Sequence, residues 1–160
     1  MTAKSKAYQF SNLESSKLFV VCGLQGSGKT TYATQLAKDI GAKSYEVDEF
    51  YSTHKHLSYS EITELLHANI QTDLLNCKNV VLDGTYVTEF VRLKLLNSLA
   101  DVPCRKTIVV MNTPLEECLQ INANREHRVP DHAVATFAKM YQHPTLEEGW
   151  DEIITVQSTK

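Results

Sequence analysis

Residues 17–41 read "KLFVVCGLQGSGKTTYATQLAKDIG". The first six form a short continuous apolar run, the signature of a strand buried on both faces. The last twelve place Ala33, Leu36, Ala37 and Ile40 on one helical face, with Gly41 as a natural stop. Between them, Gly23 to Thr30 satisfies G-x-x-x-x-G-K-[ST]. Glycines in that loop let the backbone aim successive N–H groups inward, and the following helix adds its positive N-terminal end. Such a cradle fits a polyphosphate. The expected binding set is Gly23, Gln25, Gly26, Ser27, Gly28, Lys29, Thr30 and Thr31, with Lys29 on the β and γ phosphates of ATP and the Thr30 hydroxyl on Mg²⁺.

Outward from this stretch, apolar β-rich runs recur at 79–83 ("NVVLD"), 105–111 ("RKTIVVM") and 152–156 ("EIITV"), with a weaker one at 43–47 ("KSYEV"). Helical spacing fills the intervals. Residues 59–76 set Ile62, Leu65, Leu66, Ile70 and Leu74 on one face, and Ser58 with Glu61 has capping-box spacing. Thr113, Pro114 and Glu116 open another helix in the same manner, with proline at its first position; 87–99 and 130–141 read as two more, the latter opening on Pro130. Buried strands alternating with helices predict a three-layer α/β/α sandwich around a mostly parallel five-stranded sheet, carrying a helical lid. Ligands then bind beyond the carboxyl ends of the strands, where loops 23–30, 48–57 and 84–86 converge.

The 160 residues suffice for one core, expected over 17–160, with an N-terminal arm at 1–16 that is either loose or a short helix packed on the domain. A net charge of −3 gives no global attraction for phosphate backbones, so any nucleic-acid contact is local. Cys22, Cys77, Cys104 and Cys118 are widely spaced and suggest neither disulfides nor zinc. Neither a signal peptide nor an apolar run of membrane-spanning length is present, so a soluble cytoplasmic protein is expected, with no membrane partner.

Three further elements carry chemistry. Asp83 ends the strand in "NVVLDGTY", where an acid can neutralise Mg²⁺ through its water shell; the competing role is a turn cap. "NANREHRVP" places Asn122, Arg125, His127 and Arg128 at the end of the helix opened at Pro114. There an arginine can stabilise charge on a transferring phosphoryl group, or simply complement a helix C-terminus. "YEVDEFYSTH" (45–54) sets Asp48 and Glu49 behind the second strand; a carboxylate there can orient an acceptor hydroxyl and take its proton late in a loose transition state. Phe50, Tyr51 and Tyr86 offer a stacking platform or ordinary core packing. His54 and His56 have no third ligand at metal spacing and are read as solvent-facing.

Together, "GLQGSGKTTYA", "DEFY", "VVLDGTY" and "CLQINANREHRVPDHAVATFAKM" ending in "EEGWDEI" resemble the polynucleotide-kinase-type branch of small P-loop kinases, over Lys17 to about Val156. The resemblance implies an ATP·Mg²⁺ donor, Lys29, Thr30, Asp83 and Arg125 in the reaction, and Asp48 as acceptor base. Members usually follow the paired acids with an arginine that grips the acceptor's phosphate; this chain has Tyr51. Ile121 likewise stands where an arginine often precedes the lid asparagine. The implied acceptor is therefore either a nucleic-acid 5′-hydroxyl, as the family match favours, or a small nucleoside-like or sugar molecule, as the acidic balance and Glu147, Glu148, Asp151 and Glu152 favour. A slow regulatory ATPase is the competing class; no γ-phosphate-sensing switch loop supports it.

Overall fold

The computed structural model describes residues 15–157. Within them, strands β1 (Ser16–Cys22), β2 (Lys43–Glu46), β3 (Val80–Asp83), β4 (Cys104–Asn112) and β5 (Glu152–Gln157) form one sheet in the order β2-β3-β1-β4-β5. Every pairing is parallel, so the expected "mostly parallel" sheet is wholly so among the described residues. Six helices connect and cover it: α1 (Lys29–Ile40), α2 (Val47–Thr53), α3 (Tyr59–Leu75), α4 (Glu89–Ser98), α5 (Leu115–Ala123) and α6 (Asp131–Met140). Of the expected arm, residues 1–14 lie outside the described part, and Ser16 already belongs to β1.

The pleat sorts the apolar residues into two cores. Leu18, Val20 and Cys22 of β1 pack with Leu66, Ile70 and Leu74 of α3 and Leu95, Leu96 and Leu99 near α4. On the opposite face Val21, Val81 and Val109 meet Ala33 and Ala37 of α1. These are the three layers. No helix among the described residues is long and apolar enough to cross a membrane.

Three local expectations are corrected. The strand at 43–47 stops at Glu46, and the anticipated loop 48–57 begins as helix α2, with Asp48 and Glu49 in its first turn. Pro114 and Pro130 sit one place earlier than expected, at the N-cap positions of α5 and α6. Thr113 does not cap α5; its hydroxyl donates instead to the Ser27 carbonyl at 2.8 Å. Ser58, by contrast, accepts the Glu61 amide as its spacing predicts.

A buried ion pair ties the C-terminal segment to the middle of the chain. Arg92 of α4, fully buried, donates through Nε and Nη2 to the two Glu148 oxygens at 2.7 and 3.1 Å, and through Nη1 to the Tyr86 carbonyl at 2.9 Å. Glu148 also accepts from the Thr145 amide and Trp150 Nε1. Of the four acids weighed toward a small acceptor, Glu148 is thus buried and paired, while Glu147, Asp151 and Glu152 are exposed. Burial raises the Glu148 carboxyl, but the bonds from Arg92, Thr145 and Trp150, with the Arg92 charge, outweigh burial and hold it below its ordinary value.

Arg92→Leu should destabilise the protein by about 3–5 kcal/mol in urea unfolding, because it strands a buried carboxylate. The double change Arg92→Leu with Glu148→Leu should recover at least half of that loss. Because the folded Glu148 carboxyl is depressed, its contribution is complete above its ordinary value of 4.5 and lost as pH falls through the lower folded value. Arg92→Leu should therefore flatten the acid limb of the stability-versus-pH curve.

Candidate functional site

Backbone hydrogen bonds hold the glycine-rich loop and the turn beside it. Gly23 N–H donates to the Thr85 carbonyl (3.3 Å), Gly84 N–H to the Val21 carbonyl (3.2 Å), and Ser27 N–H to the Leu24 carbonyl (3.1 Å). Gly26 has φ of 82°, and a Cβ there would overlap the Cys118 carbonyl oxygen of α5. Only glycine meets both demands. Gly28 provides the left-handed N-cap of α1, so Lys29, Thr30 and Thr31 occupy its first turn.

Lys29 is buried, with Nζ donating to the Leu24 carbonyl at 3.3 Å. Burial lowers its pKa; Asp83 and Asp48 pull it back up, and Arg125 lowers it again. Asp83 is buried at the end of β3 and raised by that burial, against the Thr30 hydroxyl and Lys29, with Asp48 adding to the rise and Arg125 opposing it. The P-loop lysine and threonine, Asp83, Asp48 and Arg125 therefore share one electrostatic neighbourhood. Three buried oxygens in it lack hydrogen-bond partners: Gln25 Oε1, Ser27 Oγ and Asp83 Oδ1. Buried polar atoms are rarely left so. A free carboxylate oxygen beside a threonine hydroxyl and an ammonium fits a hydrated divalent cation on a polyphosphate.

Sequence reasoning passed over Glu46. It pairs in register with Asp83 across β2 and β3. Burial raises it, and Asp83, Glu49 and Asp48 raise it further, while Lys29 lowers it. Its signal lies in strand register, which no local motif carries.

Asp48 separates from Glu49 by its surroundings. Asp48 lines a pocket of about 430 Å³ and acts on both Lys29 and Asp83, whereas Glu49 is absent from the pocket lining. The other pocket walls include Tyr51, Tyr59, Tyr86, Phe90, Phe137 and Met140. Tyr51 meets the Thr63 hydroxyl and lies 5.1 Å, ring to ring, from Tyr59. Tyr86 is buried with φ of 40°, a conformation costing about 1–3 kcal/mol that persists only where neighbours enforce it. The Arg92 bond to its carbonyl is one such neighbour; Gly84 is another, since a Cβ there would sit 2.6 Å from the Tyr86 ring. Phe50 is excluded from this platform. It packs on the core and stacks on His54 at 4.2 Å, so His54 is half-covered rather than solvent-facing, while His56 is exposed.

The lid residues divide. Asn122 is fully buried and clamps Val129 through both amide groups, Nδ2 to the carbonyl and Oδ1 from the N–H, which makes it a brace of the 124–130 loop. Arg125 is exposed yet near enough to act on Lys29 and Asp83. Arg128 pairs with Asp131 at 3.0 Å on the surface.

Residues 18–144 match the family described as AAA domain (AAA_33). A gluconokinase from Sinorhizobium meliloti 1021 is similar at a TM-score of 0.63 and 17% identity, over 92% of this chain and 85% of that one. The Mycobacterium tuberculosis APS kinase CysC, in complex with AMPPNP and APS, gives 0.66 and 18%, over 89% of each chain. A chain of the Pnkp1/Rnl/Hen1 RNA repair complex gives 0.71 and 20%, over 81% of this chain and 46% of that one. At these identities the likeness is one of fold. With the family match covering most of its length, the chain belongs to the AAA_33 family of AAA domains and has the α/β fold of P-loop kinases.

Proposed function

We propose that the protein transfers the γ-phosphoryl group of ATP to the hydroxyl of a small acceptor bearing an aromatic ring. One observation carries this reading: Asp48 belongs both to the electrostatic neighbourhood of Lys29 and Asp83 and to the wall of the aromatic pocket. A group in that position can face a phosphate on one side and an acceptor hydroxyl on the other.

In the proposed reaction the loop amides and Lys29 hold the β and γ phosphates. Thr30 and Asp83 would hold Mg²⁺, which would neutralise charge on those oxygens. Asp48 orients the acceptor hydroxyl. As the acceptor oxygen bonds to the γ-phosphorus, the bond from that phosphorus to the bridging oxygen breaks and ADP leaves; the hydroxyl proton passes to Asp48 and then to solvent. Arg125 approaches the γ-phosphoryl oxygens from the lid.

The acceptor class follows from the pocket. Its 430 Å³ falls within the roughly 300–1,000 Å³ of small-molecule sites, and its walls offer ring faces with a single lysine, Lys94. Polynucleotide binding draws on several phosphate contacts from Lys and Arg. A polynucleotide 5′-hydroxyl is the second reading, supported by Phe90 at the pocket wall, 77% exposed and able to stack an outer base, and by the likeness to a chain of the RNA repair complex.

Three outcomes are expected with γ-labelled ATP and a panel of nucleosides, sugars and 5′-hydroxyl oligonucleotides. Asp48→Asn should lower kcat by about 10²–10⁴ while Glu49→Gln stays within about threefold; equal losses would dissolve the assignment of the base. Arg125→Ala should depress kcat more than ATP affinity, and Arg128→Ala should do little, because its guanidinium is held by Asp131. Asp83→Asn should abolish transfer yet raise the Tm of nucleotide-free protein by a few degrees, about 2–4 °C per kcal/mol, since burial outweighs the Thr30 hydroxyl and Lys29 at this carboxylate and leaves its Oδ1 without a hydrogen bond. Label on no acceptor, with ATP hydrolysis intact in Asp48→Asn, would leave a regulatory ATPase as the answer.

A further inference from the structure

The acceptor pocket contains two basic side chains that the reaction above does not use. His67 projects from α3 and Lys94 from α4, and both line the cavity that Asp48 lines. Among the described residues neither makes a hydrogen bond or an ion pair, and Asp48 is the pocket's single acid. They also act on each other: burial, and secondly the Lys94 ammonium, push His67 down to about 4, so its ring is neutral near pH 7 and offers one N–H donor beside a cation. An exposed ammonium and a half-buried imidazole thus face one cavity whose lining holds no acid besides Asp48. A ligand that brings negative oxygens satisfies both.

We propose that Lys94 and His67 form an anion-binding subsite of the acceptor pocket, so that the acceptor carries a phosphate or carboxylate besides its ring and reacting hydroxyl. The proposal rests on the phosphotransferase reading for its role, though not for the existence of the subsite. It also gives a physical answer to the missing arginine. Tyr51 is committed to Thr63 and Tyr59, so charge recognition is supplied by the α3 and α4 walls instead. The acceptor's anionic group and its hydroxyl are then held by different elements, the first by α3 and α4 and the second by α2. That division sets how far apart the two groups stand on the substrate.

Two measurements test this on the full chain. The first is the His67 ring resonance in a ¹H–¹³C spectrum, assigned with His67→Gln, during titration with inorganic phosphate and separately with acetate. A saturable shift that Lys94→Ala weakens about tenfold or more is expected. Phosphate alone, acetate alone or both acting identifies the oxyanion; no shift with either, or an equal shift in Lys94→Ala, overturns the subsite. The second is kcat/KM for matched acceptors, each nucleoside against its monophosphate with the phosphate remote from the free hydroxyl. Wild-type protein should prefer the charged member, and Lys94→Ala should lower that preference about tenfold or more; an unchanged preference would overturn the role in acceptor choice. If no acceptor takes label, the phosphotransferase reading falls while the His67 titration still decides the subsite.

Discussion

Five strands running in one direction end on one edge of the sheet, and the site depends on that constraint. β1 delivers the glycine loop with Lys29 and Thr30, its neighbour β3 delivers Asp83, and β2, next in order, delivers Glu46 and leads into Asp48. Residues from 23 to 83 meet because the order β2-β3-β1 stacks these carboxyl ends side by side. An antiparallel partner in place of β3 would carry its acid to the far edge.

The same edge is where favourable packing gives way. The middle stretches of the interior strands (Val20–Cys22, Val80–Leu82 and Ile108–Val110) are buried and apolar, yet the cradle leaves buried oxygens unpartnered, places a lysine where burial opposes its charge, and holds Tyr86 in a left-handed conformation. Each is a local cost. They are sustained by strong ties nearby: the Arg92–Glu148 pair beneath Tyr86, and the Thr113 bond to Ser27 beside the loop. Such a concentration of unfavourable groups amid tight supports is expected of a surface shaped for a ligand.

What could be read in advance follows from how far each signal reaches along the chain. Gly23 to Thr30 lies in one contiguous stretch, and buried parallel strands leave continuous apolar runs, so the cradle, Asp83 and the layer order were legible. Helix α2 was not. "VDEFYST" is rich in β-branched and aromatic residues, and only seven residues long; it is held by Phe50 on the core and by acids at its N-terminus rather than by propensity. Arg92 looked like any surface arginine, because its partner lies 56 residues away. His67 and Lys94 were hidden similarly: each is an ordinary residue of its helix, and only the meeting of α3 and α4 gives them a common cavity.

The lid is anchored at both ends. Cys118 and Thr113 press α5 against the glycine loop, and beyond α6 the Gln142 amide bonds to the Val87 carbonyl at 2.8 Å. The segment between carries Arg125 near one end and Phe137 and Met140 near the other. The residue that acts on Lys29 and two residues of the pocket wall thus hang on a single stretch of chain held between two fixed points.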